Sequence, residues 1–289
     1  MILLKKRYKD AVPQISRRVL ETVIYGICLE DSSPADADAC YGRIETVFHD
    51  LNEVRVSSIS ELTDVFHGQA DPEWRALRVR SIIQYVFEKN FEFDFEGLRR
   101  KTLDLANKQL QRIKELSPFV RGFTLQAVLG SHVVPVDRRM CHAAVWLGLL
   151  DPAATPQTAS DSLKSVIRKS DAPLFCHLLR CLATESAFLR TFETAVRKPP
   201  EEGQNLTETP ARLSRLFKDA DQSPKIKKTT PKKKKTKQPA AKKKAGRGTA
   251  KTTVQKKSAA KKANSQNLAR AAKTPAPKKK SRTASGRQH

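Results

Sequence analysis

An all-α body followed by a polycationic tail is what this sequence predicts. Three features point there. Apolar residues return at helical spacing through most of residues 13–192, helix-start signals punctuate the joints between those segments, and the basic residues gather at one end. The 289 residues hold 55 Lys and Arg against 30 Asp and Glu, a formal charge of +25. Residues 223–289 carry 24 of the Lys and Arg and no Asp or Glu; subtracting those 24 from +25 leaves +1 for residues 1–222. The body is near neutral, and the tail suits a polyanion, most simply nucleic acid.

The elements follow in order. Residues 13–29 put Ile15, Val19, Leu20, Val23, Ile24 and Ile27 on one helical face. Asp31-Ser32-Ser33-Pro34 breaks that helix and opens the next, with Ser33 as cap and Pro34 in the first turn, running to about Phe48. Residues 50–55 read as a polar connector. Ser58-Ile59-Ser60-Glu61 matches a capping box and leads into a short helix through Leu62, Val65 and Phe66. Asp71-Pro72-Glu73 starts a helix carrying Leu77, Ile82, Ile83, Val86 and Phe87. Residues 91–95 alternate Phe and acid, a strand-like pattern too short and isolated to pair, and read as a loop. Helices are expected at 95–105, 106–116, 138–149, 161–168 and 172–192. That gives nine or ten short helices, short loops and no paired strands.

Residues 199–222 read as a polar linker with one short helix around 212–218. The tail beyond it is Lys, Ala, Thr, Ser, Pro and Gln in low-complexity clusters, too poor in large apolar side chains to offset ordering entropy, so it is expected to be disordered. The five cysteines, Cys28, Cys40, Cys141, Cys176 and Cys181, fit reduced thiols better than a disulfide framework. The first residues lack the apolar core of a signal peptide, and no apolar run is long enough to span a bilayer. A cytoplasmic, nucleoid-associated monomer is expected.

The chemistry concentrates in residues 116–140. A compact turn, Ser117-Pro118-Phe119-Val120-Arg121-Gly122, is expected between two helices, the second starting near Phe123. Backbone N–H groups in such a turn, with the positive end of the following helix, can hold a phosphate; the same turn can equally be an ordinary helix–helix connection. Val133-Val134-Pro135-Val136 then delivers Asp137 to a helix start, where it serves as an N-cap and, if it faces a cleft, as a functional carboxylate.

This stretch resembles the helix-hairpin-helix DNA glycosylase superfamily, endonuclease III branch. There a motif of the form L-P-G-V-G-x-K-T-A is followed by V-D. Residues 117–125 lie on the hairpin motif, and Pro135-Val136-Asp137 lies on the segment bearing the catalytic Asp. Residues 50–58 resemble the family's connector, and the resemblance covers roughly residues 15–195. It implies a two-lobed helical fold over 1–198, with an inserted lobe at about 30–130. It implies a base-excision-repair DNA glycosylase acting on double-stranded DNA, with Asp137 stabilising positive charge on the deoxyribose or activating water as a flipped base leaves. The pocket wall is expected to include residues 30–33. The DNA-contacting residues it implies are Ser117, Phe119, Val120, Arg121, Gly122 and Thr124 of the hairpin, with Arg138. The tail resembles those of linker histones and bacterial histone-like proteins; Lys232, Lys233, Lys234, Lys235, Lys242, Lys243 and Lys244 are its expected DNA contacts.

Departures from the family qualify this. The lyase members' Schiff-base Lys falls on Phe123, so β-lyase chemistry is expected to be absent. The motif's glycines fall on Phe119 and Arg121. The family's iron–sulfur cluster needs four Cys at a C-x6-C-x2-C-x5-C spacing downstream of the catalytic Asp, and the chain offers only Cys176 and Cys181 there, so no cluster and no other cofactor is expected. The alternative function is a non-catalytic, histone-like or architectural DNA-binding protein built on the same fold.

Overall fold

The computed structural model describes residues 1–8, 16–198 and 206–222. Ile15 and the whole tail, including its named lysines, lie outside the described residues. Thirteen α-helices and two 3-10 turns make up the described part, with no strands among the described residues.

At the centre is α2 (Val19–Leu29), where every residue except Glu21 is buried. Against it pack α3 (Pro34–Val47), α6 (Pro72–Asn90) and α8 (Pro118–Leu129). Outside these lie α4 (Leu51–Val56), α5 (Ile59–Val65) and α7 (Leu103–Gln111), with a 3-10 turn at Glu96–Arg100. Gly26 explains how closely α2 and α8 approach: a Cβ there would stand 2.9 Å from Phe123 Cδ1 and 3.3 Å from Val120 Cγ1. The second group comprises α9 (Arg138–Trp146), α11 (Ala172–Thr184) and α12 (Leu189–Arg197), with α1 (Ile2–Tyr8) on α11 and α13 (Thr209–Gln222) on α1. The helix α10 (Pro156–Val166) touches both α8 and α9 and bridges the groups.

The expected start signals behave as the residues dictate. Ser33 accepts the Asp36 N–H with Pro34 in the first turn, and Ser58 and Glu61 cap each other's backbone. Residues 91–93 form bends and 94–95 are irregular; none of them is a strand.

Several boundaries differ from expectation. The supposed connector at 50–55 is α4: Asp50 accepts the Glu53 N–H at 2.8 Å, and the Glu53 carboxylate takes the His49 N–H at 2.6 Å. Its polar residues are a reciprocal cap, and Val54 is its buried anchor. The expected helices at 95–105 and 106–116 are replaced by the 3-10 turn and α7. The Glu96 carboxylate accepts the Val19 N–H at 2.7 Å, which fastens the turn to the start of α2. The expected helix at 161–168 begins earlier, at Pro156, capped by Thr155. The long helix expected at 172–192 breaks into α11 and α12 around Glu185, which the Tyr8 hydroxyl holds at 2.7 Å and Arg7 pairs with. Residues 209–222, expected as linker with one short helix, form the 14-residue α13 with Leu213 in the core.

Candidate functional site

The turn between α7 and α8 lies earlier than expected. Pro118 already sits in the first turn of α8, capped by Ser117, whose hydroxyl accepts the Val120 N–H at 3.2 Å. The inter-helix turn is therefore residues 112–117, with Glu115 in the left-handed region at φ 63°. Gly122 is not a turn glycine. It lies inside α8, where a Cβ would press on Val133 at 3.3 Å and Pro135 at 3.4 Å. Phe119, Val120, Gly122 and Thr124, expected to touch DNA, are buried. Arg121 is half-buried, and Arg138 is exposed. The Ser117 hydroxyl favours the ionised form of the nearby Glu30 carboxyl, so a carboxylate already faces the cap of α8.

Asp137 caps α9, as its sequence position predicts, and it is 2 % exposed. Its Oδ1 accepts the Met140 N–H at 2.9 Å. Its Oδ2 accepts the Asp31 N–H at 3.0 Å and Arg180 Nη1 at 2.8 Å. Arg180, reaching from α11, also donates to Leu29 O at 2.6 Å, and its guanidinium lies 4.7 Å from the Phe119 ring centroid. One buried ion pair thus joins the end of α2, the start of α8, the start of α9 and the middle of α11.

The link between Asp31 and Asp137 is reciprocal. While the Asp31 N–H donates to Asp137, Asp31 Oδ1 accepts the Arg139 N–H at 3.0 Å. Asp31 holds this position in a left-handed conformation, φ 52°, which Asp tolerates better than most residues. Burial raises the Asp31 carboxyl above its ordinary range, and the neighbouring Asp137 raises it further, against the pull of the Arg139 N–H and Arg138. Burial likewise raises Glu30, which pairs with Arg78.

These groups meet in a cleft of about 590 Å³ lined by Glu30, Asp31, Asp137, Arg78, Arg138 and Trp74. Trp74 is half exposed at its rim. Phe119 lines this cleft and also a second cavity of about 560 Å³, walled by Tyr25, Phe123, Pro135, His177 and Arg180. Five carboxylates from four chain segments (Glu30 with Asp31, Asp71, Glu115 and Asp137), with arginines among them, are the chemical character of the first cavity; aromatic rings are that of the second.

No protein-family model matches the sequence, and no curated protein matches it. Solved structures do. A non-covalent endonuclease III–DNA complex matches with a TM-score of 0.50 at 12% identity, over 74% of this chain and 94% of that one. The described chain has the helical fold of endonuclease III. A trapped endonuclease III–DNA covalent intermediate matches with a TM-score of 0.49 at 12% identity, over 62% of this chain and 80% of that one. A 3-methyladenine DNA glycosylase from H. pylori bound to 1,N6-ethenoadenine matches with a TM-score of 0.43 at 12% identity, over 78% of this chain and 97% of that one.

The observed turn changes the hairpin register within this fold. If the glycines of L-P-G-V-G-x-K form the turn, they fall on Glu115 and Ser117, and the Lys position falls on Phe119 rather than Phe123. Both residues are buried phenylalanines, stacked at 6.0 Å between ring centroids. Sequence reasoning missed Arg180 as a member of the site and gave Asp31 no role beyond the expected wall at 30–33. Arg180 carries no local signal, being one Arg among the leucines of α11; Asp31 had one, as an acidic residue in the expected wall at 30–33. Of the cysteines, Cys176 is buried and Cys181 half-buried, both on α11. No group of three or more potential metal ligands occurs among the described residues, and no described helix is long and apolar enough to cross a membrane.

Proposed function

We propose that the protein binds double-stranded DNA and acts as a base-excision glycosylase without Schiff-base lyase activity. The observation that carries this reading is the convergence of Asp137, Asp31 and Glu30 on one cleft beside the hairpin helix of an endonuclease III fold. A base flipped from the duplex enters the cleft while Trp74 stacks at its mouth and Arg138 meets backbone phosphate. As the glycosidic bond lengthens, the deoxyribose gains positive charge. Asp137 is oriented by three donors before the reaction starts, so stabilising that charge needs no reorganisation. A phenylalanine at either register of the hairpin offers no amine to attack the sugar carbon. The four thiolates of an iron–sulfur cluster are not available after Asp137, and no step of this reading calls for one. The tail, by charge, raises the local concentration on DNA without reading sequence.

The Asp137–Arg180 pair favours a second reading, a non-catalytic DNA-binding protein on the same fold. A carboxylate neutralised by a buried arginine has less charge to offer an oxocarbenium ion. One assay separates the two. Duplexes bearing oxidised, deaminated, mismatched or alkylated bases are incubated with the protein and treated with hot alkali. Strand cleavage that disappears in Asp137→Asn supports the glycosylase; binding with no base release across the panel leaves the architectural reading. Borohydride trapping on abasic DNA, with residues 223–289 deleted to remove nonspecific lysines, should yield no adduct.

A further inference from the structure

We propose that Asp31 is the proton donor to the departing base, acting beside Asp137; this rests on the glycosylase reading above. Two carboxylates with different surroundings sit at one cleft. Asp137 is ion-paired to Arg180, and donors engage both of its oxygens. Asp31 has no comparable buried partner: its Oδ1 takes one backbone N–H, and its Oδ2 stands 3.4 Å from Arg138, whose side chain is 58% exposed. Oδ2 is therefore the oxygen able to carry a proton at the cleft wall. Burial and the Asp137 charge both favour that proton. A carboxyl whose surroundings favour its proton, beside one paired to a buried arginine, divides acid and electrostatic roles between them.

The charged surroundings of Asp31 come from every element packed on it. From α9 these are Asp137, Arg138, Arg139 and His142; from the end of α2, Glu30; from α6 and its cap, Asp71, Arg75 and Arg78; from the turn before α8, Glu115. On its other side a small polar cavity of about 260 Å³ adds Asp36, Arg43 and His67. Burial raises both Asp31 and Glu30, and Glu30 is committed to Arg78.

The step balances as a hydrolysis. The glycosidic C–N bond breaks, its electron pair goes to the base nitrogen, and the Asp31 proton transfers to the base. Water then adds to the sugar carbon, and its released proton returns to the Asp31 carboxylate.

The test compares two leaving groups. Asp31→Asn keeps a residue type tolerated at positive φ and an oxygen for the Arg139 N–H. Duplexes bearing neutral purine lesions (hypoxanthine, 8-oxoguanine) release the base with help from a proton on the departing ring; a duplex bearing 7-methylguanine, whose base is already cationic, does not need it. Asp31→Asn should slow release of a neutral base about 100-fold or more, leave any 7-methylguanine release within a few-fold, and abolish the fall in neutral-base release as pH rises. Equal loss on both substrates, no loss on a neutral one, or release confined to the cationic base in the wild type overturns the assignment while the glycosylase reading stands. No release of any base by the wild type overturns both.

Discussion

Arg180 holds Asp137 at 2.8 Å in the interior, the two side chains 5% and 1% exposed. Such a pair adds little stability compared with apolar residues, but breaking it from one side strands a buried charge. Arg180→Met removes the pair, the donation to Leu29 O and the packing on Phe119 together. It should cost about 3–5 kcal/mol of unfolding free energy, measured by urea denaturation. Arg180→Met with Asp137→Leu should recover much of that loss. A double variant as unstable as the single one would show that the pair is not the source.

The two glycines at α8 predict opposite outcomes. Gly26→Ala pushes a methyl to within 2.9 Å of the Phe123 ring, between two central helices, and should destabilise by about 1–3 kcal/mol. Gly122→Ala meets only neighbours at 3.3–3.6 Å, and the helix propensity of Ala, worth about 1 kcal/mol over Gly, offsets them. Its melting temperature should stay close to that of the wild type. A large loss at Gly122 would instead support the turn conformation first expected there.

That contrast shows what the sequence makes legible. The caps at Ser33, Ser58 and Asp137 and the apolar spacing of α2 and α6 are local properties, and local properties survive translation into structure. The hairpin was displaced because its turn glycine is a glutamate. Glu115 adopts φ 63° without a Gly or Asn to announce it, while Gly122, the apparent turn glycine, is there to admit Val133 and Pro135. Arg180 was illegible because its partner lies 43 positions away in sequence, and no periodicity encodes a pairing between α9 and α11.

The shift of Asp31 makes a stability prediction independent of activity. Its carboxyl binds a proton more tightly in the folded chain than at the ordinary value of 3.8. The stability this contributes is full below the unfolded value and is lost as pH rises through the folded one. Asp31→Asn cannot lose it. The stability of the variant relative to the wild type should therefore improve as pH rises from about 4 toward neutrality. Urea denaturation across that range measures it, and a pH-independent difference would mean that Asp31 is not shifted.

Deleting residues 223–289 removes 24 positive charges and no negative ones. Nonspecific affinity for duplex DNA should fall, and so should the dependence of log affinity on log salt, by about 0.9 for each phosphate that the tail no longer neutralises. Fluorescence anisotropy over a salt series reads both. An unchanged slope would mean that the body alone neutralises the phosphates.

Glu115 unites a conformational and an electrostatic cost at one exposed position, the tip of the turn before α8. A left-handed residue other than Gly, Asn or Asp carries about 1–2 kcal/mol of strain, and a carboxylate there repels phosphate approaching the hairpin. Glu115→Gly relieves the first and removes the second, at the expense of some unfolded-state entropy. The variant should be as stable as the wild type or up to about 1 kcal/mol more so, and it should bind duplex DNA more tightly, with the gain shrinking at high salt. Glu115→Gln separates the two effects, since it removes the charge and keeps the strain: it should tighten DNA binding without raising the melting temperature. If neither variant tightens binding, the hairpin does not meet phosphate, and Arg138 with the tail must supply the DNA affinity.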